Sequence, residues 1–90
     1  MRYISLTREK KINGAWAPYY VIIDGYNCGV VNNGVTINIP IDYDEHNLKI
    51  CADMGDGKHR SKGYIVNSGN KNLHYTIRTK IHLLSVEIYY

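Results

Sequence analysis

Apolar residues that alternate with period two constrain this chain more than any other feature. Between Val35 and Ile41, Val35, Ile37, Ile39 and Ile41 share one face, and Thr36, Asn38 and Pro40 share the other. On a strand this spacing collects a hydrophobic set on one side, whereas on a helix it would scatter the set around the axis. The pattern recurs with Ile4 and Leu6 in residues 2–8, Val21 and Ile23 in 19–24, and Leu48, Ile50 and Ala52 in 46–53. Segments 26–31, 63–67 and 73–79 complete the series, and no 11-residue window carries a helical stripe. Composition agrees. Twelve Ile, six Val, four Thr and nine Tyr stand against three Ala and five Leu, a balance that suits pleated surfaces rather than helices.

Gly and Asn separate these segments at short intervals, as turns separate strands. Asp24-Gly25, Asn32-Asn33-Gly34 and Ser68-Gly69-Asn70 each read as a hairpin turn, and residues 9–14 and 53–62 as exposed connections. Pro40 has no amide hydrogen to donate and belongs at a strand end or on an edge strand. Leu73, Tyr75, Ile77 and Ile81 fall on odd positions but Leu84, Val86 and Ile88 on even ones. That change of parity predicts a bulge or a turn near His82. Seven or eight short strands in 90 residues, with no linker or repeat, predict one domain spanning 1–90. Its expected fold class is all-β, a small antiparallel sandwich.

The stretch from Val21 to Ile50 resembles the PEGA-type repeat and related immunoglobulin-like sandwich modules of bacterial proteins. The matching positions are Val21, Ile23, Asp24, Gly25, Gly29, Gly34, Ile37, Ile39, His46, Leu48 and Ile50. The Pro-Glu-Gly-Ala signature itself is absent, and Asp44-Glu45 stands where the family has Gly before His. The resemblance implies an immunoglobulin-like fold and a non-catalytic binding or spacer role; it implies nothing about a ligand, because those positions serve turns and core.

Residue chemistry points away from catalysis. Asp42-Tyr43-Asp44-Glu45-His46 gathers carboxylates that could ligate a hard cation, but it lacks the Gly and distal Glu of an EF-hand loop. The same composition suits a solvated turn, as does Asp53-Met54-Gly55-Asp56-Gly57, and no metal is expected at either. His59, His74 and His82 show no metal or acid–base spacing, and His46 reads as a half-buried, hydrogen-bonded turn residue. There is no serine elbow, no catalytic cysteine signature and no phosphate-binding loop. Neither a catalytic residue nor a cofactor is expected. Cys28 and Cys51 lie outside any CxxC pair and are expected to be free thiols.

Charge is distributed unevenly. Residues 1–12 carry +3, residues 13–56 carry −5, and residues 57–86 carry +6 with no carboxylate among them. On the strand reading His74, Thr76, Arg78 and Lys80 line one outward face, and Arg60 and Lys62 lead into a neighbouring strand. Such a face suits an acidic protein or, less well, a nucleic acid, since the aromatic-Gly signature of an RNA-binding sheet is missing. Trp16, Tyr19 and Tyr20 form a second candidate patch, because Tyr and Trp pair an apolar ring with a polar tip. The expected partner is a protein or a second copy of the chain, which would also cover exposed strand edges. No apolar run approaches the roughly 20 residues of a membrane helix. The first residues hold Arg2 and Arg8 without an apolar signal region, so the cytoplasm is the expected compartment and a membrane is not an expected partner.

Overall fold

A computed structural model describes residues 1–10, 17–53, 58–80 and 85–89. The alternating segments become strands: β1 (Arg2–Arg8), β2 (Tyr19–Ile23), β3 (Tyr26–Val31), β4 (Thr36–Ile41), β5 (His46–Asp53), β6 (Lys58–Arg60), β7 (Tyr64–Val66), β8 (Leu73–Lys80) and β9 (Ser85–Tyr89). No helix occurs among the described residues, and hence none long and apolar enough to cross a membrane. One sheet runs β4-β1-β8-β9, the other β3-β2-β5-β6, with β7 also on β5. The two sheets face each other across one core, to which the first contributes Ile4, Leu6, Ile39, Ile41, Tyr75, Ile77 and Ile88. Tyr19, Val21, Ile23, Val31, Leu48, Ile50, Ala52 and Val66 come from the second.

Local chemistry fixes the turns but not the partners. Asp24 and Gly25 both have positive φ, 53° and 86°, the requirement of a tight hairpin between right-twisted strands, and β2 and β3 pair through it. Asn32-Asn33-Gly34 also turns the chain, with Gly34 at φ 72° and Val35 N–H donating to Asn32 O at 3.0 Å. Yet it carries the chain from β3 in one sheet to β4 in the other, and Ser68-Gly69-Asn70 likewise crosses from β7 to β8. Two of the three expected hairpins are therefore crossovers between sheets. A residue that tolerates positive φ permits reversal and is silent about which sheet receives the next strand.

Three further differences have physical causes. The pairing of β1 with β8 is parallel, while the other six pairings among the described residues are antiparallel, so the sandwich is mixed rather than purely antiparallel. A short strand, β6, lies within the expected loop 53–62, because Cys51–Asp53 at the end of β5 needs a hydrogen-bonding neighbour. Between the Cys51–Arg60 and Leu48–Tyr64 pairs, β5 has two residues and its neighbour has three, Ser61, Lys62 and Gly63. β6 and β7 thus act as halves of one strand broken by a bulge. Ser61 repairs the ladder there: its N–H donates to Ile50 O at 2.8 Å and its Oγ accepts from Ile50 N–H at 2.8 Å. Pro40 sits on β4, an edge strand, as its missing N–H requires. The parity change at His82 lies outside the described residues, but β8 and β9 pair antiparallel from Lys80–Ser85 onward, so the chain reverses between them.

Candidate binding face

The outward side chains of the second sheet form a shallow groove. Tyr20 and Ile22 point out of β2, opposite the core residues Val21 and Ile23, and Asn47, Lys49 and Cys51 point out of β5. Register sets Tyr20 beside Cys51, Cys51 beside Arg60, and Ile22 beside Lys49. With Asn27 and Gly25 these residues enclose about 550 Å³. Gly63 makes part of this surface possible: a Cβ there would stand 2.8 Å from Asn47 Nδ2 and 3.3 Å from Lys49 Cε. The bare backbone at the bulge therefore lets both side chains lie across it. Two cations, two amides, a tyrosine, a cysteine, two isoleucines and Gly25 line the groove, and no carboxylate does among the described residues. Beside it, β3 is an edge strand with Tyr26 76% and Val30 40% exposed.

Arg78 and His74 lie on the opposite side of the molecule, on the outer face of the first sheet, so the expected single cationic face is split between two. There they belong to a polar lattice. Ser5 Oγ–H donates to Asn38 Oδ1 at 2.5 Å, Thr7 Oγ1 lies 2.7 Å from Thr36 Oγ1, and His74 Nε2 is 3.4 Å from Thr7 Oγ1. Arg78 Nε–H donates to Glu9 Oε2 at 2.8 Å, which pairs its charge. Lys62 is exposed at the bulge between β6 and β7. Lys80 closes β8 opposite Ser85, its side chain lies outside the described residues, and so does the whole of Trp16.

Tyr19, grouped from sequence with the surface aromatics, is a core residue at 3% exposure. Its ring is covered by Arg8, whose guanidinium carbon is 3.5 Å from the ring centroid. Tyr20, one residue on, faces the groove; alternation separates the two. Arg8 and Arg2 are the residues that sequence reading missed. They share parity with Ile4 and Leu6, and they are 3% and 2% exposed at the two ends of the core. Arg8 Nη1 donates to Ala17 O at 2.6 Å and Val31 O at 3.1 Å. Burial lowers its pKa, and the electrostatic interaction and side-chain hydrogen bond with Tyr19 oppose that shift.

At the Arg2 end, His46 is held between two carboxylates. Its Nδ1 is 2.5 Å from Asp24 Oδ2 and its Nε2 is 2.6 Å from Asp42 Oδ1. Both ring nitrogens must carry protons to donate, so hydrogen bonds to Asp24 and then Asp42 raise the imidazole's pKa above its ordinary value. Bonds from His46, and then from the backbone N–H of Asn47 and of Asp44, lower Asp24 and Asp42 respectively. The Asp24 and Asp42 carboxylates are thereby both bonded to His46, and no cluster suited to a metal ion occurs among the described residues. Cys28, exposed on β3, and the half-buried Cys51 are free thiols. No family model, no curated protein and no solved structure matches this chain.

Proposed function

We propose that this protein is a non-catalytic binding module that docks an acidic protein segment on the outer face of β2, β5 and β6. The observation that carries this reading is the groove in which Lys49 and Arg60 flank Tyr20 and Ile22 with no carboxylate beside them. The Tyr20 ring and the aliphatic Ile22 side chain supply contact area, and the two charges complement an acidic partner and exclude basic ones. A nucleic acid is the weaker reading, because phosphate binding favours a continuous cationic stripe, whereas Arg60 and Arg78 lie on opposite faces and Arg78 is paired to Glu9. The same proposal includes the finer architecture, an immunoglobulin-like module of the PEGA type. Its support is the two-layer core and the union of β6 with β7, which brings nine segments to eight strands.

The test uses three proteins: the parent, the double reversal Lys49→Glu with Arg60→Glu, and Arg78→Glu. Capture of partner and light scattering are read at low and high salt, beside the melting temperature. The groove reversal is expected to abolish partner capture or self-association while Arg78→Glu leaves it intact. Both should melt close to the parent, since surface charge changes cost within about 0.5 kcal/mol. Equal capture by the parent and the groove reversal overturns the proposal.

A further inference from the structure

A second cavity, lined by none of the residues that line the docking groove, lies where the chain crosses from β7 to β8. It holds about 560 Å³ between Tyr64, Ile65, Leu73 and Tyr75, with Ser68 to Lys71 along its rim and Arg2 also in its wall. That volume is in the range of small-molecule pockets, about 300–1,000 Å³.

The chemistry of this cleft is set by which hydrogens of Arg2 remain. A guanidinium has five N–H groups. Nε–H donates to Asp42 O at 3.0 Å, and Nη2 spends both hydrogens on Asp44 O at 3.0 Å and Asn67 O at 2.8 Å. Nη1 keeps two hydrogens with no acceptor among the described residues, although the residue is only 2% exposed. Gly69 lies beside this nitrogen, since a Cβ there would stand 3.8 Å from Nη1. All three acceptors are neutral carbonyls. The nearby Asp42 carboxylate is occupied by His46 and by the N–H of Asp44. A cation buried without a directly bonded anion is costly, and here it faces a cleft lined by one further cation, Lys71, and no carboxylate among the described residues.

We infer that this cleft binds a monocarboxylate with an apolar body, its oxygens on Arg2 Nη1 and its body against Tyr64, Leu73 and Tyr75. Tyr64, Ile65, Leu73 and Tyr75 match an apolar body, which a phosphate dianion lacks. A free small acid and the C-terminus of an apolar peptide both present this carboxylate; the chemistry recognised is the same.

Calorimetric titration and two-dimensional NMR of the full chain test the assignment, with 3-phenylpropanoate and N-acetyl-leucyl-leucine as probes. The matching amides, 3-phenylpropanamide and N-acetyl-leucyl-leucinamide, are the controls. At least one acid is expected to bind saturably, shifting the amides of Leu73 and Gly69, while its amide counterpart binds at least tenfold more weakly, the order expected for a lost charge-assisted bond. The tighter of the two acids names the source. Arg2→Gln should remove the preference for acid over amide. Because that variant also loses bonds that tie loops together, Ile65→Glu is the second test. Ile65 is 56% exposed on the cleft wall, so the variant should keep the parent's melting temperature and weaken the acid at least tenfold by repulsion. Failure of both acids to bind, equal affinity for acid and amide, or undiminished binding to a folded Ile65→Glu overturns the inference.

Discussion

Three residues with special chemistry fix the end of the molecule near β5. His46 links Asp24 and Asp42 only when both its ring nitrogens are protonated, and the two carboxylates hold it only when ionised. The raised imidazole stabilises the fold fully below its ordinary 6.5, and that stabilisation is lost as pH climbs through the raised native value. The lowered carboxylates contribute above their ordinary 3.8, a contribution lost as pH falls through their depressed values. Chemical denaturation against pH should therefore show a plateau between the ordinary carboxylate and imidazole values, 3.8 and 6.5, with a decline on each side. In His46→Gln the alkaline decline should vanish; its persistence would show that another group titrates there. Gly25 makes a second residue-scale case. With φ at 86° and open space around its α-carbon, Gly25→Val meets no clash with a neighbour, yet should lose more than about 1 kcal/mol, because a β-branched side chain penalises the left-handed region. Urea unfolding of the variant beside the parent measures that loss.

At the scale of elements, the broken strand β6–β7 is the least expected feature. Its interruption places Gly63 under Asn47 and Lys49 and so shapes the docking groove. The break persists because Ser61 substitutes its hydroxyl for a backbone acceptor, taking the Ile50 N–H and passing its own hydrogen to Lys62 O at 3.0 Å. Ser61→Ala should leave the buried Ile50 N–H without that acceptor and cost about 1–3 kcal/mol. Hydrogen exchange at Ile50 should accelerate in step with the lost stability; an unchanged exchange rate would mean that the hydroxyl is dispensable. The apolar face of β5 was legible from the spacing of Leu48, Ile50 and Ala52. Ser61 was not, since a serine in a polar run gives no sign that it will be buried.

At the scale of the whole molecule, β1 runs between β4 and β8 in its sheet, pairing with residues 36–41 on one side and 73–77 on the other. Completing the first sheet therefore joins residues 4–8 to residues 73–77, across most of the chain. Long-range closure of this kind slows folding, and refolding is expected on the millisecond-to-second scale rather than in microseconds. Stopped-flow refolding checks the time scale. Leu6→Ala, at a fully buried position of β1, should lose about 2–5 kcal/mol.

The sequence by itself determined where most strands run, which apolar residues of the alternating strands face the core (Val35, 41% exposed and just outside β4, being the exception), and where the Asp24-Gly25 turn takes positive φ. These are local consequences of period-two alternation and of steric limits at Asp24, Gly25 and Gly34. Tertiary structure alone decided which sheet each strand joins, because a turn reverses the chain without naming its next neighbour. It also decided the fate of the charges. Arg60 and Arg78, close in the sequence's cationic stretch, emerged on opposite faces. Asp24 and Asp42 converged on His46 from 22 and 4 residues away. Arg2 and Arg8 followed the parity of Ile4 and Leu6 into the ends of the core, where backbone carbonyls from other segments receive them and the Tyr19 ring lies under Arg8. Side-chain direction is set within a few residues; the donors and acceptors that meet it come from segments far apart in the chain.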